Sequence, residues 1–336
     1  MRNLAGNFLG VSRSEAEAGL RMTRDSRKVP FKKPSLNCGE QIALLKERGL
    51  IVDDEARAFR YLTFIGYYRL MVYGRVYQPR AHEGDHHFGH GTTFDHILKL
   101  YSFDRKLRAL VLDALERVEV SLKAAISNEM CNRYGPHWYL DEERFDGSYG
   151  HKAFLKHVEE RLGLGTKESQ KQFIAHYFST YSEPRLPPSW MLFEVLTFGT
   201  VSRVFQNLHK SDQSLIAKHF DLPPKVLISW IRALAGLRNV CAHHEVLWNR
   251  RFTVNQPMVA KKFTALMLDN TQLYTHLVII KYILSLITKS SRWAKQLRHL
   301  VKIEAPHLHA TNVAEVAGFP YDWEKLPIWE LVKSQS

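Results

Sequence analysis

An arginine and two histidines lie close together in the segment Arg238-Asn-Val-Cys-Ala-His243-His244. Histidine titrates near neutral pH and can accept or donate a proton, whereas arginine stays cationic and binds two phosphate oxygens at once. RNA carries its own nucleophile in the ribose 2′-hydroxyl, so a histidine base and an arginine clamp suffice in principle for transesterification without a metal. The chemistry that this segment supports is therefore RNA cleavage, and it would spare DNA, which lacks that hydroxyl.

Two other interpretations of the same segment stay open. His243, His244 and Glu245 near a helix end can simply cap carbonyl groups and form surface ion pairs. A metal site built from these three residues is disfavoured, because adjacent residues on a helix point in three directions. We therefore expect neither a metal nor another cofactor.

The helix that carries the segment is predicted to begin at Pro223-Pro224 and to run over about 224–244. Counting 100° per residue, one stripe of this helix is apolar except for a single arginine. Its members are Leu227, Ile231, Leu234, Arg238 and Cys241, with Trp230 and Leu237 at its edge. A buried guanidinium is costly unless it is paired or faces a polar cleft, and such violations of core design concentrate at functional sites.

Arg238 and His243 do not share a face of this helix. Five residues apart, they differ by about 140° around an ideal helix, whereas Asn239 and His243, four apart, do share a face. Either the helix is distorted at its C-terminal end, or two copies of the segment meet across an interface and build a shared site. The second possibility predicts a dimer.

The composition favours a polyanionic partner, since 47 Lys and Arg against 34 Asp and Glu give a net charge of +13. Three cysteines provide neither a disulfide framework nor paired metal spacing, which fits a reducing cytosol. The longest apolar run, 277–287, is shorter than the roughly 20 residues needed to cross a bilayer. With no signal peptide visible, we expect a soluble, cytoplasmic protein.

Helical periodicity dominates the chain and no strand ladder is evident, so the predicted fold class is all-α. A helix over 41–49 is expected to end on glycine, and the next to begin at Asp53 or Asp54. Thr93 is expected to cap a long helix over about 94–133. Further helices are predicted at about 189–208, 257–288 and 290–303, whereas 141–170 is mixed and polar.

Four regions follow from this pattern. Residues 1–33 form a basic arm, and 34–92 form an N-terminal helical region that leads into a Gly- and His-rich loop at 80–93. Residues 93–256 form the helical core with the Arg238–His243 segment. Residues 257–336 supply C-terminal helices and an aromatic tail that packs on the core.

Several other residues are candidates for binding. Tyr67, Tyr68 and Arg69 combine aromatic rings with a cation, which suits RNA, although core packing explains the tyrosines equally well. Lys32 and Lys33 in the basic arm are either RNA contacts or part of a disordered tail. The loop histidines favour a solvated loop over a zinc site, because nearby glycines prevent a rigid ligand cage; they are His82, His86, His87 and His90.

Arg238-Asn-Val-Cys-Ala-His243 resembles the Arg-x4–6-His motif of the HEPN superfamily, in the form with Asn after Arg. Its surroundings resemble the Abi-like abortive-infection proteins, the AbiD/AbiF family, over roughly 33–330. The matching stretches are Lys33-Pro34, 41–45, Arg48-Gly-Leu50, Tyr67-Tyr-Arg-Leu70, Tyr73, Phe103-Asp-Arg105, Glu119, Pro188-Ser-Trp-Met191, Cys241-Ala-His-His244, Leu247-Trp-Asn-Arg250 and Gly318-Phe-Pro-x-x-Trp323.

The resemblance implies a HEPN-type helical bundle with additional helices at both ends. It implies a metal-independent ribonuclease that works as a homodimer with a composite cleft, in bacterial defence of the abortive-infection or toxin–antitoxin kind. Arg238 and His243 would be the catalytic pair, and Asn239 would position them or the phosphate. His244, Trp248, Arg250 and Glu119 are supporting candidates; Glu119 is equally explained as a solvent-facing or ion-paired residue.

Two functional hypotheses follow. The first is an endoribonuclease, whose activity a bound structured non-coding RNA could control. The alternative is a non-cleaving defence or sensor protein that binds a structured RNA. The basic arm and the His-rich loop depart from the family pattern, so the resemblance assigns no function to them.

Overall fold

The computed structural model describes residues 30, 34–81, 84–164, 171–305 and 312–330. Apart from Pro30, the predicted basic arm with Lys32 and Lys33 lies outside the described residues, as does His82. Helices dominate these ranges, where β structure is limited to the isolated bridges Ile51–Thr93 and Phe145–Leu208. The predicted all-α class is confirmed.

A single long helix, α4 (Phe94–Tyr134), forms the centre of the fold. The Thr93 hydroxyl accepts a hydrogen bond from the backbone N–H of His96 at 3.2 Å and so caps its start. The helix ends where Gly135 takes a φ of 83°, which lacks the steric penalty that a side chain would bring. This helix was predicted to within one residue, because no proline or glycine interrupts its apolar spacing.

Within the described residues, three short helices precede α4 and pack near its N-terminal half. They are α1 (Cys38–Glu47), α2 (Glu55–Phe64) and α3 (Tyr67–Gly74). The predicted start of α2 is confirmed, since Asp54 accepts a hydrogen bond from the backbone of Arg57 at 2.8 Å. Helix α3 lies directly against α4. The N-terminal region therefore meets the N-terminal half of α4, where Asp104 and Arg108 lie.

In the described ranges, six helices follow α4, and the last of them carries the candidate site. They are α5 (His151–Arg161), α6 (Gln172–Thr180), α7 (Ser189–Phe193), α8 (Phe198–Asn207), α9 (Lys210–Lys218) and α10 (Pro224–Ala242). The single helix predicted for 189–208 is wrong. Thr197 accepts a hydrogen bond from the backbone of Thr200 at 3.2 Å, which starts a new helix and separates α7 from α8.

The predicted helix at 257–288 is also wrong in its first half. Helix α11 spans Leu273–Ile287, and residues before it are irregular apart from a turn at Lys261–Phe263. Asp269 explains the late start, because its carboxylate accepts from the backbone N–H and the hydroxyl of Thr271 at 2.9 and 2.6 Å. Such local bonds compete with helix formation.

The C-terminal part consists of α12 (Trp293–His299), a π-helical turn (Leu300–Glu304) and α13 (Val313–Val316). The predicted helix over 290–303 is thus shorter and changes its hydrogen-bonding pattern at Leu300. Trp323 and Trp329 of the tail are buried, and the indole of Trp329 donates to the Tyr274 hydroxyl at 3.0 Å. Helices α11 and α12 both pack on α4. No helix of the described ranges has the length and apolar character needed to span a membrane.

A buried histidine in α11 makes the stability of this fold sensitive to acid. His276 lies against Phe252 with 4.3 Å between ring centroids, and burial lowers the pKa of its imidazole to about 4. The unfolded chain protonates this side chain near pH 6.5, so between pH 6.5 and 4 it binds more protons than the folded chain. Stability is therefore lost as the pH falls through this window, by about 2–3 kcal/mol at pH 4.5.

Urea unfolding at pH 7 and pH 4.5 measures this effect. A His276→Gln variant is expected to lose less stability than the parent between the two pH values. The comparison between variants removes the contribution of carboxylates, which also titrate at acid pH. Equal losses in the two proteins would contradict the prediction.

Candidate active site at the end of the motif helix

The apolar residues of α10 fill the core, whereas Arg238 is a charged residue on the same side of the helix. The buried members of the predicted stripe are Leu227, Trp230, Ile231, Leu234, Leu237 and Cys241. Arg238 lies within the buried arc of the helix, yet its side chain is only half-buried, so the prediction that it is buried was too strong. The protein surface must open beside it, at the C-terminal end of α10.

The guanidinium of Arg238 has no hydrogen bond or ion pair with any residue of the described ranges. A half-buried cation has lost part of its hydration, and without a partner that loss is not compensated. An anionic group in the opening beside α10 would provide the compensation. The arrangement therefore suits a phosphate ligand.

Helix α10 ends immediately before His243. The backbone N–H of His243 donates to Asn239 O at 2.9 Å, and that of Glu245 donates to Val240 O at 3.0 Å. His244 takes a φ of 58°, in the left-handed region, and reverses the chain. The backbone itself closes this turn, since neither imidazole bonds to another residue within the described part of the chain.

The imidazoles of His243 and His244 therefore do not provide the helix cap that the alternative interpretation required, although Glu245 does form a surface ion pair with Arg250 at 2.5 Å. The side chains of Asn239 and His243 are exposed. Helix α10 is regular through Ala242, so no distortion turns His243 toward Arg238. Within one chain, the regular backbone of α10 keeps the Cα–Cβ bonds of Arg238 and His243 in the different directions that the helical count predicts.

A buried polar network holds the turn that follows His243. The carboxylate of Asp104 is fully buried and pairs with Arg108. It accepts hydrogen bonds from the backbone N–H groups of Leu247 and Trp248, at 3.2 and 2.9 Å. Burial raises the pKa of the Asp104 carboxyl, whereas Arg108 and the hydrogen bonds act in the opposite direction.

Two further groups complete the network. The hydroxyl of Tyr73 on α3 donates to Asp104 at 2.8 Å. The guanidinium of Arg108 donates to the carbonyl of Glu245 at 3.1 Å. Sequence reasoning did not assign Asp104 or Arg108 to the site. The available signal was an i,i+4 acid–base pair inside the apolar face of α4.

Several predicted residues do meet at this turn. Arg69 of α3 donates to the carbonyl of His244 at 3.1 Å, and Trp248 is buried directly after the turn. Arg250 reaches the turn through its ion pair with Glu245. The Tyr67 hydroxyl accepts a hydrogen bond from Arg48, which lies outside the turn, at 3.1 Å. The side chain of Tyr68 is 85% exposed.

Glu119 lies away from the turn that follows His243. It pairs with Lys123 at 2.8 Å and lies about 16 Å further along α4 than Arg108. The structure therefore gives it an ion-pair partner away from the turn.

Cys241 and the remaining histidines add no second chemistry here. Burial raises the pKa of the Cys241 thiol to about 12, so it stays protonated near neutral pH and is a poor nucleophile. Across the described residues, no group of three or more His, Cys, Asp or Glu is placed to hold a metal ion.

Residues 60–249 match the family model described as Abi-like protein, which is more than half of the chain. The chain belongs to the Abi-like protein family. Comparisons with curated proteins and with solved structures gave no significant match. Membership in the Abi-like family associates this protein with abortive infection, a form of phage defence. The matched region contains Asp104, Arg108, Arg238 and His243.

Proposed function

We propose that this Abi-like protein is a metal-independent endoribonuclease of the HEPN type that acts in anti-phage defence. One observation carries the proposal: Arg238, a half-buried cation without a partner among the described residues, lies one turn before an exposed His243. A cation and a proton-transfer group at one helix end are the two components that RNA transesterification requires.

The reaction would proceed in one displacement. His243 accepts the proton of the ribose 2′-hydroxyl, whose oxygen attacks the adjacent phosphorus. The bond from phosphorus to the 5′-oxygen breaks, water donates a proton to that leaving oxygen, and the protonated His243 returns its proton to the solvent. Arg238 stabilises the negative charge that develops on the phosphoryl oxygens. The products carry a 2′,3′-cyclic phosphate and a 5′-hydroxyl.

A homodimer would bring Arg238 of one chain close to His243 of the other. In one chain the two side chains diverge by about 140°, so a two-fold axis near the end of α10 is the simplest way to make them converge. Gly236 shares a face of α10 with the exposed Asn239 and His243, and beyond the adjoining backbone of α10 no heavy atom of the described residues lies within 4 Å of where its Cβ would be. This open position would let a second α10 approach closely.

Cleavage of RNA in the presence of EDTA tests this proposal. The parent protein is expected to cut RNA at a rate that EDTA does not change, and an Arg238→Ala/His243→Ala double variant is expected to leave RNA intact. Arg185→Ala and His299→Ala are matched controls, because both side chains are mostly exposed and lie outside α10 and its turn. Intact RNA with the parent protein, or equal cleavage by the double variant, would contradict the proposal.

RNA binding without cleavage is the second candidate. Phe64, at the end of α2, and Tyr68, in the first turn of α3, are 82% and 85% exposed, and exposed aromatic rings of this kind can stack on bases. Under the first candidate, a structured non-coding RNA bound to the protein in the cytoplasm would instead hold the nuclease inactive. Purification at low salt without nuclease treatment, followed by removal of any bound RNA at high salt, separates the candidates: bound RNA, and no EDTA-resistant cleavage after its removal, favours the sensor.

A further inference from the structure

The hydrogen bonds of the Asp104–Arg108 pair end on the segment that directly follows His243. Asp104 binds the backbone N–H groups of Leu247 and Trp248, and Arg108 binds the carbonyl of Glu245. Arg69 binds the carbonyl of His244. Every peptide group named here belongs to the turn that orients His243, so the pair from α4 acts on the backbone of the candidate site.

Stability alone does not account for such a pair. Two charges lose their hydration when they are buried, and apolar residues of similar volume often stabilise a core equally well. What a buried ion pair can add is geometric specificity, because its hydrogen bonds have narrow distances and directions. Asp104 is 0% exposed and Arg108 is 4% exposed, which excludes water as a competing partner.

The turn itself needs such support. His244 is a non-glycine residue in the left-handed region, a conformation that is retained only where the surroundings enforce it. Contacts from both α3 and α4 enforce it here, through Arg69 and through the network of Tyr73, Asp104 and Arg108. Loss of these contacts would free the turn and with it the direction of His243.

We propose that Asp104, held by Arg108 and Tyr73, is a positioning residue that fixes the direction of the His243 imidazole for RNA cleavage. This inference rests on the proposed function. It predicts that weakening the network lowers the rate of the chemical step without weakening RNA binding, since His243 would be misdirected while Arg238 stays in place.

The chain offers a matched control for this test. Asp212 is likewise buried, pairs with Arg133 at 2.6 Å and accepts a hydrogen bond from the Tyr134 hydroxyl at 3.1 Å. Arg133 lies about 40 Å further along α4 than Asp104, so this second Asp–Arg–Tyr network is remote from the turn. Asp104→Asn and Asp212→Asn therefore make the same chemical change in two similar networks.

Cleavage is measured for both variants under steady-state conditions, which give kcat and KM, and under single-turnover conditions, which isolate the chemical step, well below their melting temperatures. Asp104→Asn is expected to lower kcat by about 10- to 100-fold with an unchanged KM, whereas Asp212→Asn should retain the parent kcat. Tyr73→Phe removes only one hydroxyl and provides a milder variant if Asp104→Asn folds poorly; a smaller fall in kcat is expected. A parent-like kcat in folded Asp104→Asn, or an equal fall in Asp212→Asn, would overturn the inference.

A readout that needs no nuclease activity separates this inference from the proposed function. The imidazole Cε1–Hε1 signal of His243 in NMR spectra should move or broaden in Asp104→Asn and stay unchanged in Asp212→Asn. If the parent protein does not cleave RNA and this pattern is seen, the ribonuclease proposal fails while the positioning role stands. A His243 signal that Asp104→Asn leaves unchanged overturns the positioning role.

Discussion

Arg238→Ala and His243→Ala proteins, each inactive alone, are expected to regain activity when they are mixed and allowed to exchange subunits. In a heterodimer of the two, the intact Arg238 of one chain meets the intact His243 of the other. Random exchange makes about half of the dimers mixed, and each mixed dimer retains one of two such pairs, so about a quarter of the parent activity should return. Differently tagged chains allow the heterodimer to be purified and assayed directly.

This experiment depends on a large loss of RNA-cleaving activity in each single variant. Removal of a proton-transfer group costs roughly 10²–10⁴-fold, and removal of a preorganised cation roughly 10²–10³-fold. A heterodimer as inactive as its parents would show that Arg238 and His243 act within one chain, or that both copies of each are required. A monomer that cleaves RNA would contradict the composite site.

A single 2′-deoxy substitution at the cleaved nucleotide is expected to abolish cleavage at that position. The proposed nucleophile is the 2′-hydroxyl, and its removal leaves no group to attack the phosphorus. The rate should fall by at least about 10³-fold, a rise of about 4 kcal/mol in the barrier. Gel assays on matched oligonucleotides measure the rate, and mass spectrometry identifies the 2′,3′-cyclic phosphate on the normal product.

The same substitution one nucleotide away serves as the control and should be cut at nearly the normal rate. Cleavage that continues at the deoxy position would mean that water or another nucleophile attacks the phosphorus. That result would contradict the transesterification mechanism without affecting the family assignment.

Local signals predicted much of the helical fold. Thr93 and the uninterrupted apolar spacing after it located α4, and Pro223-Pro224 located the start of α10. The same reasoning failed at 189–208 and 257–288, where Thr197 and Asp269 bond to the nearby backbone and interrupt an apolar pattern that otherwise reads as continuous. Periodicity reports which residues are buried, not whether the chain between them is helical.

For the candidate site, the sequence alone determined the helix, the identity of Arg238 and His243, and the divergence of their directions, because these depend on residue type and on 100° per residue. Only the tertiary structure decided that Arg238 is half-buried and unpartnered among the described residues, and that the turn after His243 is held by Asp104 and Arg108. Asp104 and Trp248 are 144 positions apart, so no local pattern could connect them. Such contacts arise only when α3, α4 and α10 pack together and exclude water from the same small volume.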